Sequence, residues 1–145
     1  MEISDELYRE IILDHYKNPR HFGKLENADV QQPGANPLCG DELELMVSVK
    51  DGVIVDIAFQ GKGCSISQAS ASMMTDAVCN HKISEIQEMV AKFRGMMLEN
   101  KGTDDFPEPL EDAKSLEGVK RYPVRVKCAV LAWNTLSEAL KKIKG

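Results

Sequence analysis

Two runs of alternating apolar residues, joined by Asp51-Gly52, constrain the fold of this chain more than any other feature. A period of two is typical of strands that bury one face, and Asp-Gly is favoured in two-residue hairpin turns. The pattern therefore predicts an antiparallel hairpin over residues 42–60. The side chains predicted to share its buried face are Leu43, Leu45, Val47, Val49, Val53, Val55, Ile57 and Phe59.

The hairpin also determines which residues meet at its open end. If the turn pairs Lys50 with Val53, antiparallel pairing returns the chain to the level of Asp41 just before Cys64. We therefore expect Asp41 and Cys64 to be neighbours in space although they are distant in sequence.

Helical periodicity is present on both sides of the hairpin. With the hairpin, it predicts one α+β domain over residues 1–145, in which helices cover one face of a small antiparallel sheet. The first predicted helix is N-terminal and ends at Asn18-Pro19, and the second spans about residues 69–80 with Ser65 or Ser67 as its cap. The third has a capping box at Ser84–Gln87 and ends near Gly95. The fourth extends from Arg125 or Lys127 to Lys144.

Two segments are interrupted by proline, glycine and asparagine. Residues 17–38 are predicted to be irregular and to place Cys39 on a loop. Residues 99–121 are charged, and we expect a mobile loop with at most one short helical turn, not a domain boundary. The interrupting residues are Pro19, Pro33, Gly34 and Pro37 in the first segment and Gly102, Pro107, Pro109 and Gly118 in the second.

Composition narrows the class of function. The net charge of −5 and the pI near 5.2 argue against nucleic acid as a partner, since phosphate binding needs a basic surface. The basic cluster at residues 141–144 suits the end of a helix, where cations are favourable. No apolar run is long enough for a membrane span, and the acidic start at residues 1–6 does not resemble a secretory signal. We therefore expect a soluble protein in a reducing cytoplasm, with free thiols.

Three of the four cysteines and one aspartate are candidate metal ligands: Cys39, Asp41, Cys64 and Cys128. Thiolates bind zinc and iron strongly, and a carboxylate makes such a site more exchangeable than a four-cysteine site. Adjacent glycines permit close backbone approach, and a helix starting after Cys64 would favour a thiolate there. Each ligand has an ordinary alternative, because cysteines often serve as small buried apolar residues and Asp41 can stabilise a turn.

The remaining thiol and the histidines are less suited to the site. Cys79 falls late in a predicted helix beside Val78, so we assign it to the core. His15 lies in the first helix, His21 in a turn and His81 at a helix end, and we do not assign them as ligands.

Four motifs give the chain a resemblance to a known family. Residues 36–41 (NPLCGD), 61–64 (GKGC), 124–129 (VRVKCA) and the opening segment 7–20 resemble the IscU-type iron–sulfur cluster assembly proteins nearly end to end. Lys127 stands where the classical scaffolds of that family have a histidine, and they lack the charged stretch. Both differences match the SufU branch, which is understood to act as a zinc-dependent sulfurtransferase for a cysteine desulfurase.

The resemblance implies a set of roles. Cys39, Asp41, Cys64 and Cys128 would hold zinc, and Cys39 would leave it to accept persulfide sulfur while a histidine of the desulfurase fills its place. The sulfur would pass to downstream iron–sulfur assembly proteins. Arg125 could pair with Asp41, steer the partner, or simply be solvated. Two alternatives stay open: a scaffold that assembles a [2Fe–2S] cluster, and a structural zinc module that recruits partners.

Overall fold

A computed structural model describes the backbone of residues 3–143 and the side chains of residues 6–143. Three antiparallel strands in the order β1-β2-β3 form one sheet, against which the helices pack, and this confirms the predicted α+β fold. No helix within this described part combines the length and apolar character needed to cross a membrane. The elements are α1 (Ile3–Lys17), β1 (Val30–Asn36), β2 (Asp41–Lys50), β3 (Val53–Lys62), α2 (Ser65–Val78), α3 (Ile83–Leu98) and α4 (Pro123–Lys141), with 3₁₀ helices at Glu108–Leu110 and Asp112–Arg121.

The predicted hairpin is confirmed as β2 and β3. Asp51 and Gly52 have φ angles of 53° and 76°, the left-handed values that a type I′ turn requires at both central positions. The predicted facing of Val55 is wrong, because the register shifts between Ser48 and Val49 and leaves Val55 43% exposed. Ile54 takes the buried position instead, since the extra residue of a β-bulge reverses the alternation.

The prediction of irregular chain over residues 17–38 is wrong for its last part. Residues 30–36 form β1, which pairs with β2 from Val30 opposite Val47 to Asn36 opposite Asp41. Pro33 is compatible with this strand because β1 is an edge strand, and proline within a sheet is found mainly on edge strands. Cys39 still lies on the short turn between β1 and β2, as expected.

Gly34 brings β1 close to α4, and its replacement tests that packing. A Cβ atom at this position would overlap Thr135 Oγ1. We expect Gly34→Ala to lower the free energy of unfolding by about 2 kcal/mol through overpacking. In the double variant Gly34→Ala/Thr135→Ala the loss should be smaller than the sum of the single losses, as measured by urea unfolding. Strictly additive losses would contradict the proposed contact.

The core lies between the sheet and helices α2, α3 and α4. Its largest aromatic contact is a stack of Phe93 on Trp133, with ring centroids 4.2 Å apart and planes 10° from parallel. The indole N–H of Trp133 donates to Ser70 Oγ at 3.0 Å, so its burial leaves no unsatisfied donor.

The inserted segment, residues 99–121, is more ordered than the sequence predicts. Its two 3₁₀ helices bury Leu110 and Leu116 completely and Ala113 almost completely. Apolar residues at this spacing fix the segment to the core, so the expected loop with one helical turn is wrong. The segment is therefore packed against the rest of the domain.

The boundaries of helices α2, α3 and α4 differ from the prediction. The helix α2 extends from Ser65 to Val78 instead of over about residues 69–80. The helix α3 continues through Gly95 to Leu98, and Glu85, not Gln87, accepts a hydrogen bond from the N-cap, through the Lys82 N–H. The last helix begins at Pro123, where proline is favoured because the first helical N–H needs no partner. Its described end is Lys141, and the predicted end at Lys144 lies outside the described residues.

Candidate metal centre

The β1–β2 turn and the first residue of β2 supply two of the expected ligands. Gly40 has a φ of 69°, which lets the chain reverse between Cys39 and Asp41. The Cys39 N–H donates to the Asn36 carbonyl at 3.2 Å and closes this turn. Asp41 begins the central strand and is only 1% exposed.

Helix α4 adds a third ligand to these two. Cys128 is fully buried, and its Sγ lies 3.0 Å from Cys39 Sγ. The ligand atoms of Cys39, Asp41 and Cys128 all lie within 4.8 Å of one another. The sequence prediction that these three residues converge is therefore consistent with the structure.

Asp41 indicates that the group suits a cation. Its Oδ1 accepts the Cys64 backbone N–H at 2.9 Å, whereas its Oδ2 is buried without a hydrogen-bond partner. A buried carboxylate oxygen normally needs a donor or a positive charge. Two thiols beside this oxygen form a donor set that fits a thiophilic divalent ion such as zinc.

Cys64 lies at the edge of the group. Its ligand atom does not lie within 4.8 Å of all three others, although its N–H contacts Asp41 as the hairpin predicts. It is the N-cap of α2, and its Sγ accepts from the Ser67 N–H at 3.5 Å. The predicted caps, Ser65 and Ser67, are wrong, because the sequence argument did not consider a cysteine as a cap. The Cys-x-x-Ser spacing was the available signal.

Gly63 allows Asp41 and α2 to approach each other. It has a φ of 152°, and an added Cβ would overlap Asp41 Oδ1 and lie 2.8 Å from Ser67 Oγ. The glycine therefore serves both the backbone conformation and the space beside the carboxylate.

Arg125 faces thiols, not the carboxylate. Hydrogen bonding to Cys64 is the main cause that raises the pKa of the Arg125 guanidinium, with a further contribution from Cys128. Of the alternatives for Arg125, pairing with Asp41 is thus replaced by contact with two candidate ligands. A cation there offsets part of the negative charge that several thiolates and a carboxylate would carry.

Burial and neighbouring groups affect the third thiol. Burial is the main cause that raises the pKa of the Cys128 thiol, and the nearby side chains of Cys39, Asp41 and Cys64 raise it further. Sequence reasoning missed Asn36, whose buried Nδ2 donates to Cys128 Sγ at 3.8 Å. The Asn-Pro motif just before Cys39 was the only signal for it.

An open cleft of about 1060 Å³ lies beside Cys39. Its rim carries exposed apolar residues, and the charged residues that line it are all arginines. The exposed apolar residues are Leu13, Leu38, Tyr122 and Val124, and the arginines are Arg9, Arg121 and Arg125.

The remaining candidates lie elsewhere. His15 hydrogen-bonds Ser72 and Asp112, His21 is 3.7 Å from Asp76, and His81 is 4.0 Å from Glu85. Cys79 packs against the core as the C-cap of α2, and burial raises the pKa of its thiol.

Comparison with known proteins agrees with this geometry. Residues 7–145 match the NifU-like N-terminal domain. The chain is 43% identical to the zinc-dependent sulfurtransferase SufU of Bacillus subtilis, over 97% of this chain and 94% of that protein. It is 42% identical to the iron–sulfur cluster assembly scaffold protein IscU of Thermotoga maritima, over 94% of each chain.

A solved structure extends the likeness to three dimensions. The crystal structure of an iron–sulfur cluster assembly scaffold protein for the SUF system from Fervidobacterium islandicum superposes with a TM-score of 0.82. The two sequences are 37% identical, and the match covers 94% of this chain and 98% of the other. On sequence and fold together, the chain belongs to the NifU-like N-terminal domain family, which includes the IscU- and SufU-type proteins.

Proposed function

We propose that this protein is a zinc-dependent sulfurtransferase that accepts persulfide sulfur from a cysteine desulfurase for iron–sulfur cluster biogenesis. The observation that carries the proposal is the position of Cys39. Of the three clustered ligands, Asp41 and Cys128 are buried, whereas Cys39 is partly exposed on a turn and lines the cleft. It is the thiol of the group that a partner can reach.

We further propose that Cys39, Asp41, Cys64 and Cys128 hold the zinc ion. Support comes from the cluster of three ligand atoms, the unpartnered Asp41 Oδ2, and the Cys64 N–H bonded to Asp41. Bound zinc would keep cysteine side chains in the thiolate form near neutral pH. Arg125 would remain beside Cys64 and Cys128 as a protein cation.

The sulfur transfer is a thiol–disulfide type of exchange. The Cys39 thiolate attacks the outer sulfur of the desulfurase persulfide, forming a new S–S bond. The S–S bond of the donor breaks, and its cysteine leaves as a thiolate. Cys39 then carries the persulfide on a turn outside the strands, from which a downstream acceptor can take it.

The cleft supports docking of the desulfurase beside Cys39. Leu38, Tyr122 and Val124 are 69%, 59% and 55% exposed and offer an apolar contact at its rim. Arg9 and Arg125 add positive charge, which would complement an acidic surface of the partner. We place this reaction in a reducing cytoplasm, where thiols stay free.

A scaffold for a [2Fe–2S] cluster is the second candidate. It is favoured by the relatives that are named as scaffold proteins, and thiolates with a carboxylate can hold such a cluster. Lys127 argues against it, because an ammonium group is not a ligand at the position where we expect a histidine in classical scaffolds.

Metal analysis combined with a desulfurase assay separates the two candidates. We expect the purified protein to hold one zinc and to increase sulfide or alanine production by the desulfurase of the same organism. Zinc removal by a chelator should abolish the increase, and added zinc should restore it. A stable, transferable cluster formed by anaerobic reconstitution, without stimulation of the desulfurase, would establish the scaffold instead.

A further inference from the structure

His15 connects three parts of the chain that are far apart in sequence. Its side chain is 1% exposed. Its Nδ1 lies 2.8 Å from Ser72 Oγ on α2, and its Nε2 lies 2.8 Å from Asp112 Oδ2 at the start of the second 3₁₀ helix. The imidazole therefore joins α1, α2 and the inserted segment.

The neighbouring hydrogen bonds indicate which ring nitrogen of His15 donates to Asp112. The Arg20 backbone N–H donates to Ser72 Oγ at 2.8 Å, so the Ser72 hydroxyl hydrogen is available to His15 Nδ1. An ionised Asp112 can only accept, so Nε2 must donate to it. With Nε2 as the donor to Asp112, both ring nitrogens of His15 have a hydrogen-bond partner.

This serine, histidine and aspartate do not form a nucleophilic triad. Ser72 is 0% exposed, and its oxygen is occupied by Arg20 and His15. A nucleophile has to reach a substrate, and none of the three residues lines the cleft beside Cys39. The group holds elements together instead.

The element that His15 holds forms a wall of that cleft. The 3₁₀ helix beginning at Asp112 contributes Ser115 and Val119 to the lining. It leads directly into Tyr122 and the first turn of α4, where the Val124 carbonyl lies 3.9 Å from Cys39 Sγ. The bond between His15 and Asp112 thus lies at one end of a continuous stretch of chain, residues 112–124. The other end of this stretch contacts Cys39, the proposed sulfur acceptor.

We propose that His15 is a positioning residue: its bond to Asp112 fixes the inserted 3₁₀ helix as a cleft wall that presents Cys39 to the desulfurase. The inference rests on the proposed function. It assigns to the inserted segment a role in partner recognition, and to a buried histidine of α1 the task of holding that segment in place.

Asp112→Ala tests the tether, because Asp112 is 50% exposed and its loss should not prevent folding. A charge-assisted hydrogen bond is lost, so we expect amides 113–121 to exchange roughly tenfold faster. The protein concentration for half-maximal stimulation of the desulfurase should rise by a similar factor, roughly tenfold, while the maximal rate and zinc content stay unchanged.

Two variants serve as controls. Asp112→Asn keeps an oxygen that can accept from Nε2–H. In this variant the amide exchange rates and the half-maximal concentration should return to within about twofold of the wild type. Glu111→Ala removes the neighbouring carboxylate, which pairs with Lys114 at 3.0 Å. It should leave the amide exchange rates and the half-maximal concentration unchanged. It matches the charge change of Asp112→Ala.

The possible results distinguish the positioning role of His15 from the proposed sulfurtransferase function. Unchanged exchange in Asp112→Ala refutes the tether. Faster exchange with an unchanged half-maximal concentration, or a lower maximal rate alone, refutes the positioning role. A wild-type protein that gives no stimulation refutes the sulfurtransferase function and the positioning role with it, whereas the exchange data still decide whether the tether exists.

Discussion

Replacing Cys39 with serine is expected to abolish sulfur acceptance from the desulfurase, on the order of 100-fold or more in stimulated rate. A hydroxyl group is almost entirely protonated at neutral pH and cannot replace a thiolate as the attacking group. The substitution is close to isosteric on a partly exposed turn, so the fold should persist. Alanine formation by the desulfurase gives the rate for the wild type and the variant. Mass spectrometry of the wild type shows whether Cys39 gains a sulfur atom.

Cys79→Ser is the matched control for this prediction. Cys79 is also partly exposed, but it caps α2 against the core and does not line the cleft. This variant should stimulate the desulfurase as the wild type does. Full stimulation by Cys39→Ser, or added sulfur found on another cysteine, would remove Cys39 from the role proposed for it.

Gly63→Ala is expected to lower the free energy of unfolding by about 3 kcal/mol, through overpacking and a left-handed backbone. The new Cβ would displace the Asp41 carboxylate or Ser67 at the start of α2. Zinc content should fall as well, because Asp41 is one of the proposed ligands. Urea unfolding and metal analysis of the same preparation measure the two effects.

Gly23→Ala separates the backbone cost from the clash. Gly23 has a comparable φ of 137°, but an added Cβ meets no atom within 4 Å. Its replacement should cost about 1–2 kcal/mol from the dihedral alone and leave zinc content unchanged. If the two variants lose equal stability and both keep zinc, the crowding of Asp41 by residue 63 is not important.

The hairpin and its open end could be predicted because their causes are local. Asp51-Gly52 favours one turn type, and that turn places Asp41 beside Cys64. The bulge at Val55 could not be predicted, since it depends on which residues the helices cover. The same holds for β1, where Pro33 argues against a strand unless its place at the sheet edge is known.

In the candidate metal centre, too, some features could be predicted from the sequence and others could not. Cys39 and Cys64 each stand next to a glycine, and Asp41 is close to Cys39, so these residues were candidates without the fold. Cys128 has no such neighbour, and its assignment depended more on the family motif. The contacts that support them arise from tertiary packing, as between Asn36 and Cys128 or Arg125 and Cys64. The inserted segment was mistaken for a loop because its charges outnumber the buried Leu110 and Leu116, and burial cannot be inferred from so short a pattern.

Cys39 and Cys128 meet across 89 residues of sequence, and this separation affects the order of events during protein synthesis. The two thiols come together only after α4 has left the ribosome and packed against the sheet, because non-local contacts form late. A nascent chain that ends before residue 128 carries an incomplete donor set. Zinc binding by all four proposed ligands would therefore have to follow the synthesis and packing of α4.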